Sequence, residues 1–404
     1  MPRLLFISLE FTAATFSGNG IYAAGQVQAL TVHGCRVLVL AGKPSGQERS
    51  TGRPHADIAE IELPHWGTLD RSCSWQAFAK GCRQPTIVQR IVDFRPDAVL
   101  GVDWSALPAF EALHASLVAE DMQLPYVYMN YRVYARTALP ADAEWMKGME
   151  LRAMEIAAVT IALSKSDADF LRQLVLRQSH KHVEVLLPAL RADMAALPLP
   201  ADIQGSTAAK QVGSCASHSA AAVRSDKCQR RKYMTCCVRL SPEKEPDRFV
   251  NLVEALHRKA VLNRLQVIPL LIGASKTPYA DGIKSRLRRC GAQCEIVEQF
   301  LGPTELAQIF SQTMLNIHPC LYDAFGMSIV EAAAQGAPSL TNTGGSIGAT
   351  DLLQSSAGEV VTLDLGLPTQ DLALKVAVLL ADQNHLQEAD PIQGSCNPLR
   401  YGKH

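Results

Sequence analysis

The chain has 404 residues, 48% of them apolar and 19% charged, with 39 basic residues set against 39 acidic ones. That length exceeds one ordinary domain and suits two of roughly 150 to 200 residues, each able to bury its own core. The balanced charge supplies no global field for nucleic acid or an anionic membrane, so neither nucleic acid nor a polyanion is expected as a partner.

The chain opens Met-Pro-Arg-Leu-Leu-Phe-Ile-Ser-Leu-Glu, an apolar run too short for a signal peptide or a membrane span, and reads as a buried first strand. No transmembrane segment is expected; peripheral membrane contact and oligomeric state are left open. The 11 cysteines are odd in number and never spaced Cys-x-x-Cys, which argues against a disulfide framework or a zinc site and for a reducing, cytoplasmic compartment. His180 and His182 have no evident third ligand, and no metal is expected.

Apolar and amphipathic runs then alternate over residues 3–9, 21–32, 36–40, 58–63, 86–94, 98–102 and 126–129. Such alternation predicts βα units and a parallel, doubly wound sheet. Helical periodicity over 144–157, a strand at 159–163, a helix opened by Ser164-Lys-Ser-Asp and a strand at 183–187 complete the first half. From 198 to about 232 the composition shifts to Gly, Ser, Ala, Lys and Gln, the character of a flexible insertion. A second alternation follows at 233–238, 247–259, 267–272, 280–289, 294–297 and 303–313. The expected architecture is α/β, with two facing Rossmann-like doubly wound parallel-sheet domains and a cleft between them. The expected boundaries are a first Rossmann-like domain at 1–190, a linker at 191–232, a second Rossmann-like domain at 233–385 and a disordered tail at 386–404.

Three elements have the chemistry to hold a diphosphate. A glycine turn, Phe16-Ser-Gly-Asn-Gly-Ile-Tyr-Ala, opens the first helix, and Gly18 and Gly20 allow backbone amides close to an anion. Arg239-Leu-Ser-Pro-Glu-Lys244 leaves an apolar strand carrying two fixed positive charges, a planar fork and a point charge. The third is the helix expected over 327–335, stopped by Gly336 and Pro338, whose free N–H groups and positive dipole end favour phosphate. Around its start lie two acids eight positions apart, Asp323 and Glu331.

This segment, 316–345, resembles the signature of the retaining nucleotide-sugar glycosyltransferases of family four, the group one transferases. There an acid-x7-acid pair precedes a Gly-x-Pro and a Gly-Gly. The resemblance implies the GT-B fold and retaining, metal-independent transfer from a nucleoside-diphosphate sugar to a hydroxyl acceptor, with no other cofactor. By motif match, Arg239, Lys244, Gly18 and Gly20 would attend the diphosphate and Glu331 the ribose. Asp323 and the backbone of Ala324, Phe325 and Gly326 would lie beside the donor sugar, with Met327 and Ser328 at the helix start and Gly344 and Gly345 as the later glycine pair.

The chain departs from the resembled pattern in three places. Most members have Glu where Asp323 stands. Many carry a His at the end of an N-domain strand, whereas Pro125-Tyr-Val-Tyr-Met-Asn130-Tyr-Arg132 has none, leaving Asn130, Arg132 and Asp103 as acceptor-side candidates. No terminal helix is evident after Leu380. A same-fold phosphorylase or epimerase would share the phosphate apparatus, and a non-catalytic nucleotide-sugar-binding or scaffold protein would keep the pocket without turnover.

Two patterns point elsewhere and fail. Gly18-Asn-Gly-Ile-Tyr-Ala23 fits a dinucleotide fingerprint, but a seven-residue loop separates it from the strand and no acid ends the second strand. Asp167-Ala-Asp169 mimics a metal-binding Asp-x-Asp, yet it occupies a helix first turn, where acids complement the dipole.

Overall fold

The computed structural model describes residues 1–11, 15, 17–47, 56–67, 69–175, 182–191, 194 and 231–389. The chain divides into two compact units, Met1–Pro188 and Ala189–His404.

The first unit is built on a parallel sheet of seven strands in the order β3-β2-β1-β4-β5-β6-β7. These are β1 (Arg3–Ser8), β2 (Arg36–Pro44), β3 (Asp57–Leu63), β4 (Ala98–Val102), β5 (Tyr126–Asn130), β6 (Val159–Ala162) and β7 (Val183–Val185). Most of β1 and β2 is buried, as continuous apolar runs require in a sheet covered by helices. The core holds Leu5, Ile7, Leu38, Leu40, Phe78, Trp104, Phe110 and Tyr128. Each fully buried Leu or Phe contributes about 1.5–3 kcal/mol relative to an exposed one.

The second unit repeats the plan with six strands in the order β10-β9-β8-β11-β13-β15. They are β8 (Tyr233–Cys237), β9 (Ile268–Ile272), β10 (Glu295–Val297), β11 (Thr313–Ile317), β13 (Ser339–Asn342) and β15 (Val360–Leu363). A separate parallel pair, β12 (Tyr322–Asp323) with β14 (Ser346–Ile347), stands off this sheet. In both units the second and third strands run to one side of the first and the fourth to the other, the doubly wound order. The order reverses between β1 and β4 in one unit and between β8 and β11 in the other. At these switch points the strand carboxyl ends leave open crevices.

Proline sets many helix starts. Pro85, Pro246, Pro278 and Pro303 each stand in the first turn of their helix, where the missing N–H costs nothing. Thr277 caps one of these helices, accepting from the Ala280 N–H at 3.2 Å.

Several expectations are corrected. The helix Thr369–Ala389 carries the chain past Leu380, so residues 386–389 are helical rather than part of a tail; 390–404 lie outside the described residues. Leu372, Ala373, Val376 and Leu380 bury its apolar side in the second core. Asp103 and Trp104 begin a helix, Asp103–Ala119, that contains Pro108 and is buried at most of its first eight positions. Its lack of a polar face hides the helical period from the sequence.

Most of the expected linker, and His180, lie outside the described residues, but two residues at the linker's ends belong to the second unit's framework. Arg231 donates to the carbonyls of Thr313 (3.0 Å), Gln335 (3.1 Å) and Gly336 (2.7 Å), closing the end of the helix Met327–Ala334. Arg191 lies 3.7 Å from Glu331.

Candidate active site

In the second unit the switch point gathers the charged residues. The chain leaves β8 through Arg239, turns in a short 3-10 helix (Pro242–Lys244) and passes Glu245 in the left-handed region at φ 48°. Lys244 Nζ reaches Asp323 Oδ2 at 2.7 Å, with the side chains 15% and 19% exposed. Glu245 ties the two loops together: its Oε2 accepts the Leu321 N–H at 2.9 Å and its Oε1 accepts from Arg248 at 3.2 Å. Arg239 stays at the surface and pairs with Glu243 at 2.8 Å.

Asp323 is fixed from its other side by the β12–β14 pair, which sets Tyr322 against Ser346 and Asp323 against Ile347. The Gly344–Gly345 turn makes that pairing feasible. Gly344 takes φ +76°, and a Cβ on Gly345 would stand 3.0 Å from both the Asn342 and Leu321 carbonyl oxygens. The helix Met327–Ala334 begins just beyond, after Gly326 at φ 88°. Ala324 and Phe325 are buried, and the Phe325 ring packs with Ile329, Ile347 and Cys320, so this stretch has its backbone to offer a ligand. The carbonyl of Phe325 already accepts from Ala349 at 2.6 Å. Met327 and Ser328 supply the first turn, where N–H groups have no carbonyl one turn earlier. Glu331 is buried one turn in, beside Arg191.

His318, at the end of β11, adds a group that the sequence reading passed over. Its Nε2 lies 3.1 Å from Asp323 Oδ2 and 3.3 Å from Cys320 Sγ. Burial disfavours charge on His318, but Cys320 and Asp323 outweigh it and raise its pKa to about 9. Burial likewise works against an ionised Asp323, yet Lys244 and His318 hold its carboxyl well below the usual carboxylate range. Among the described residues, His318, Cys320 and Asp323 form a cluster with three possible metal donors. The spacing His-x-Cys-x-x-Asp was visible in the sequence; its closure on one point was not.

The first unit has its own buried polar network at its switch point. Ser17 caps the helix Gly18–Val32, accepting the Asn19 N–H at 3.1 Å, so Gly18 and Gly20 are helical rather than a turn ahead of it. Gly20 is required by Glu10 at the end of β1: a Cβ there would lie 2.8 Å from Glu10 Cγ, whereas Gly18 faces open space. Glu10 accepts from the Ser17 N–H at 2.7 Å and hydroxyl at 2.6 Å. Part of the expected anion position therefore faces a protein carboxylate.

Asp103, immediately after β4, is buried at φ 55° and accepts from Asn19 Nδ2 (2.7 Å), the Tyr131 N–H (2.8 Å) and the Tyr134 hydroxyl (3.1 Å). Burial lifts its pKa to about 7 against those donors. Glu150, also buried, accepts the Tyr134 N–H at 2.6 Å, and burial pushes it up to about 8. Arg132 lies over the Tyr134 ring and donates to Thr137 at 2.8 Å. Asn130 sits apart from this group, fully buried, with Nδ2 given to the Tyr128 hydroxyl at 2.9 Å. Asp167 and Asp169 do not converge: Asp167 is buried against Arg136 at 2.8 Å, and Asp169 pairs with Arg172 at the surface.

Residues 222–388 match the family model described as glycosyl transferases group 1. This part of the chain is a group 1 glycosyltransferase domain. No curated protein sequence matches the chain. Among solved structures, it resembles sucrose-phosphate synthase from Thermosynechococcus elongatus at TM-score 0.73 and 14% identity, over 99% of this chain and 94% of that one. It also resembles Anabaena HepE, solved with UDP-glucose, at TM-score 0.62 and 15% identity over 99% and 96% of the two chains. The catalytic domain of Arabidopsis thaliana starch synthase IV, bound to ADP and acarbose, aligns at TM-score 0.63 and 14% identity over 97% and 95%. At these identities the likeness establishes the GT-B fold; in the glycosyltransferase domain, Lys244, Asp323, the Gly326 helix start and Glu331 all fall inside the matched residues.

Proposed function

We propose that this glycosyltransferase moves a glycosyl group from a nucleoside-diphosphate sugar to a hydroxyl acceptor with retention of configuration and without a metal ion. The observation that carries this reading is the Lys244–Asp323 pair at the β8/β11 switch point, beside the Gly326 helix start and within a group 1 domain.

Lys244 and Arg239 stabilise the negative charge that accumulates on the departing diphosphate, aided by the first-turn N–H groups of Met327 and Ser328. Asp323 fixes Lys244 and faces the donor sugar; Glu331 accepts from the ribose hydroxyls. Asp103 and Arg132, at the switch point of the first unit, are assigned to the acceptor. In a front-face displacement, the bond from the anomeric carbon to the phosphate oxygen breaks as the bond to the acceptor oxygen forms on the same face. The acceptor proton passes to the departing phosphate oxygen, so no protein nucleophile is used.

UDP-glucose, the ligand in the Anabaena HepE structure, is the first donor to test, with ADP-glucose as its comparison. The assay follows nucleotide release against a panel of sugar and sugar-phosphate acceptors, with the product anomer read by NMR and EDTA included in parallel. Transfer with retention, unchanged by EDTA, is expected. Failure of every nucleoside-diphosphate sugar both to raise the melting temperature and to be consumed overturns the reading.

A further inference from the structure

We propose that His318, Cys320 and Asp323 bind a single thiophilic divalent cation of the zinc class, and that this cation competes with Lys244 for Asp323. The binding is independent of the proposed transfer reaction; only its inhibitory consequence rests on that reading.

The geometry is close to what such an ion requires. A tetrahedron built on metal–nitrogen distances of about 2.0 Å and metal–sulfur distances of about 2.3 Å has edges of about 3.3 to 3.6 Å. His318 Nε2 lies 3.1 Å from Asp323 Oδ2 and 3.3 Å from Cys320 Sγ, and all three donor atoms fall within 4.8 Å of one another. The two edges that meet at His318 Nε2 need shifts of only a few tenths of an ångström, and the third, between Cys320 and Asp323, closes as both donors turn to the ion. Imidazole, thiolate and carboxylate together form a donor set typical of zinc rather than of magnesium or calcium.

One ring nitrogen of His318 is the neighbour that both other donors share. Nε2 is shared between the Asp323 carboxylate, which accepts, and the Cys320 thiol, which either donates or accepts, and one ring nitrogen satisfies only one of them well. The other ring nitrogen, Nδ1, is buried without a hydrogen-bond partner among the described residues. His318 and Cys320 are buried, whereas Asp323 is 19% exposed, so access runs along the Asp323 side.

On that side stands Lys244, its Nζ 2.7 Å from the same Oδ2 that the cation needs. Two positive charges cannot share that oxygen at such range, so binding of the ion requires Lys244 to leave it. Lys244 is then lost from its position in the site, and transfer stops until the metal is withdrawn.

Cobalt(II) is the direct probe, because a thiolate ligand gives a charge-transfer absorption in the near ultraviolet without any substrate. The full-length protein is titrated with cobalt and then with zinc in competition. Wild type is expected to show the band and lose it to zinc. Cys320→Ala should abolish the band and weaken zinc binding by at least about tenfold, as should His318→Ala. Lys244→Gln should act in the opposite direction and tighten zinc binding by about tenfold, since it removes the competing charge. That opposite sign separates competition from general loosening, and thermal melting checks that each variant is folded. Absence of the band in wild type, or equal zinc affinity in wild type and Cys320→Ala, overturns the site. Equal affinity in wild type and Lys244→Gln overturns the competition. In the transfer assay, zinc should lower the rate and EDTA restore it.

Discussion

Lys244 Nζ and Asp323 Oδ2 meet at 2.7 Å, joining the loop after β8 to the loop after β11, the two strands that flank the switch point of the second sheet. Arg239, only one turn of chain from Lys244, instead pairs with Glu243 at the surface. The two cations therefore differ in what their removal does. Lys244→Ala and Arg239→Ala should each lower kcat by about one to three orders of magnitude, the scale of losing a transition-state donor. Arg239→Ala should leave the melting temperature almost unchanged, because an exposed pair contributes about 0–1 kcal/mol. Lys244→Ala leaves Asp323 without its closest cation and should lower it measurably. Steady-state rates and thermal melts of the two variants check both statements.

Glu331 is buried beside Arg191, and its value to a nucleotide is that of a carboxylate hydrogen-bond acceptor. Glu331→Gln should weaken nucleoside-diphosphate binding by about tenfold to a hundredfold, the equivalent of about 1.5–3 kcal/mol. Calorimetric titration of UDP and ADP into both proteins measures this directly.

Two glycines of the same site carry positive φ but differ in the space around them. At Gly326 the backbone is at φ +88° and a Cβ would lie 3.0 Å from Ile329 Cδ1; at Gly344, at φ +76°, nothing lies within 4 Å. Gly344→Ala should cost about 1–2 kcal/mol from the left-handed backbone alone. Gly326→Ala should cost more, because the same backbone penalty is joined by a tight contact in a packed cluster. Urea unfolding of the two variants gives the ordering.

Asp103 and Glu150 should give the protein a stability that declines with rising pH. Their folded pKa values lie near 7 and 8, against ordinary values of 3.8 and 4.5. Between about pH 4 and pH 8 the native state keeps protons that the unfolded chain has already released. The stability held at low pH is therefore lost as the pH climbs through 7 and 8, and the contribution is flat above that range. Urea midpoints measured from pH 5 to pH 8.5 should fall for wild type, and Asp103→Asn and Glu150→Gln should each flatten the decline.

The segment 316–345 shows how far the sequence alone carries. Strand, loop, helix start and both glycine signals were legible there because each rests on local chemistry: an apolar run, a Gly at positive φ, a helix stopped by Gly336. The acids and the basic pair were legible as residue types at fixed spacing. His318, Glu245 and Arg191 were not, since a lone His, one of the two acids flanking Lys244 and an Arg beside a polar insertion carry no local mark. Only when the order β8-β11 sets two loops side by side does Glu245 reach the Leu321 N–H, while the fold of the single loop after β11 turns His318 onto both Cys320 and Asp323.

The same distinction holds across the chain. The sequence by itself determined the alternating βα plan and the phosphate-type motif, because backbone preference and hydrophobic period act over a few residues. The tertiary structure alone decided that Arg239 turns outward while Lys244 turns to Asp323, and that Glu10 occupies ground beside Gly20. It also decided that Asp103 is a buried acid held by Asn19 and Tyr134. Those outcomes depend on which distant side chains compete for one oxygen in a low-dielectric crevice, a competition set by strand order rather than by any stretch of sequence.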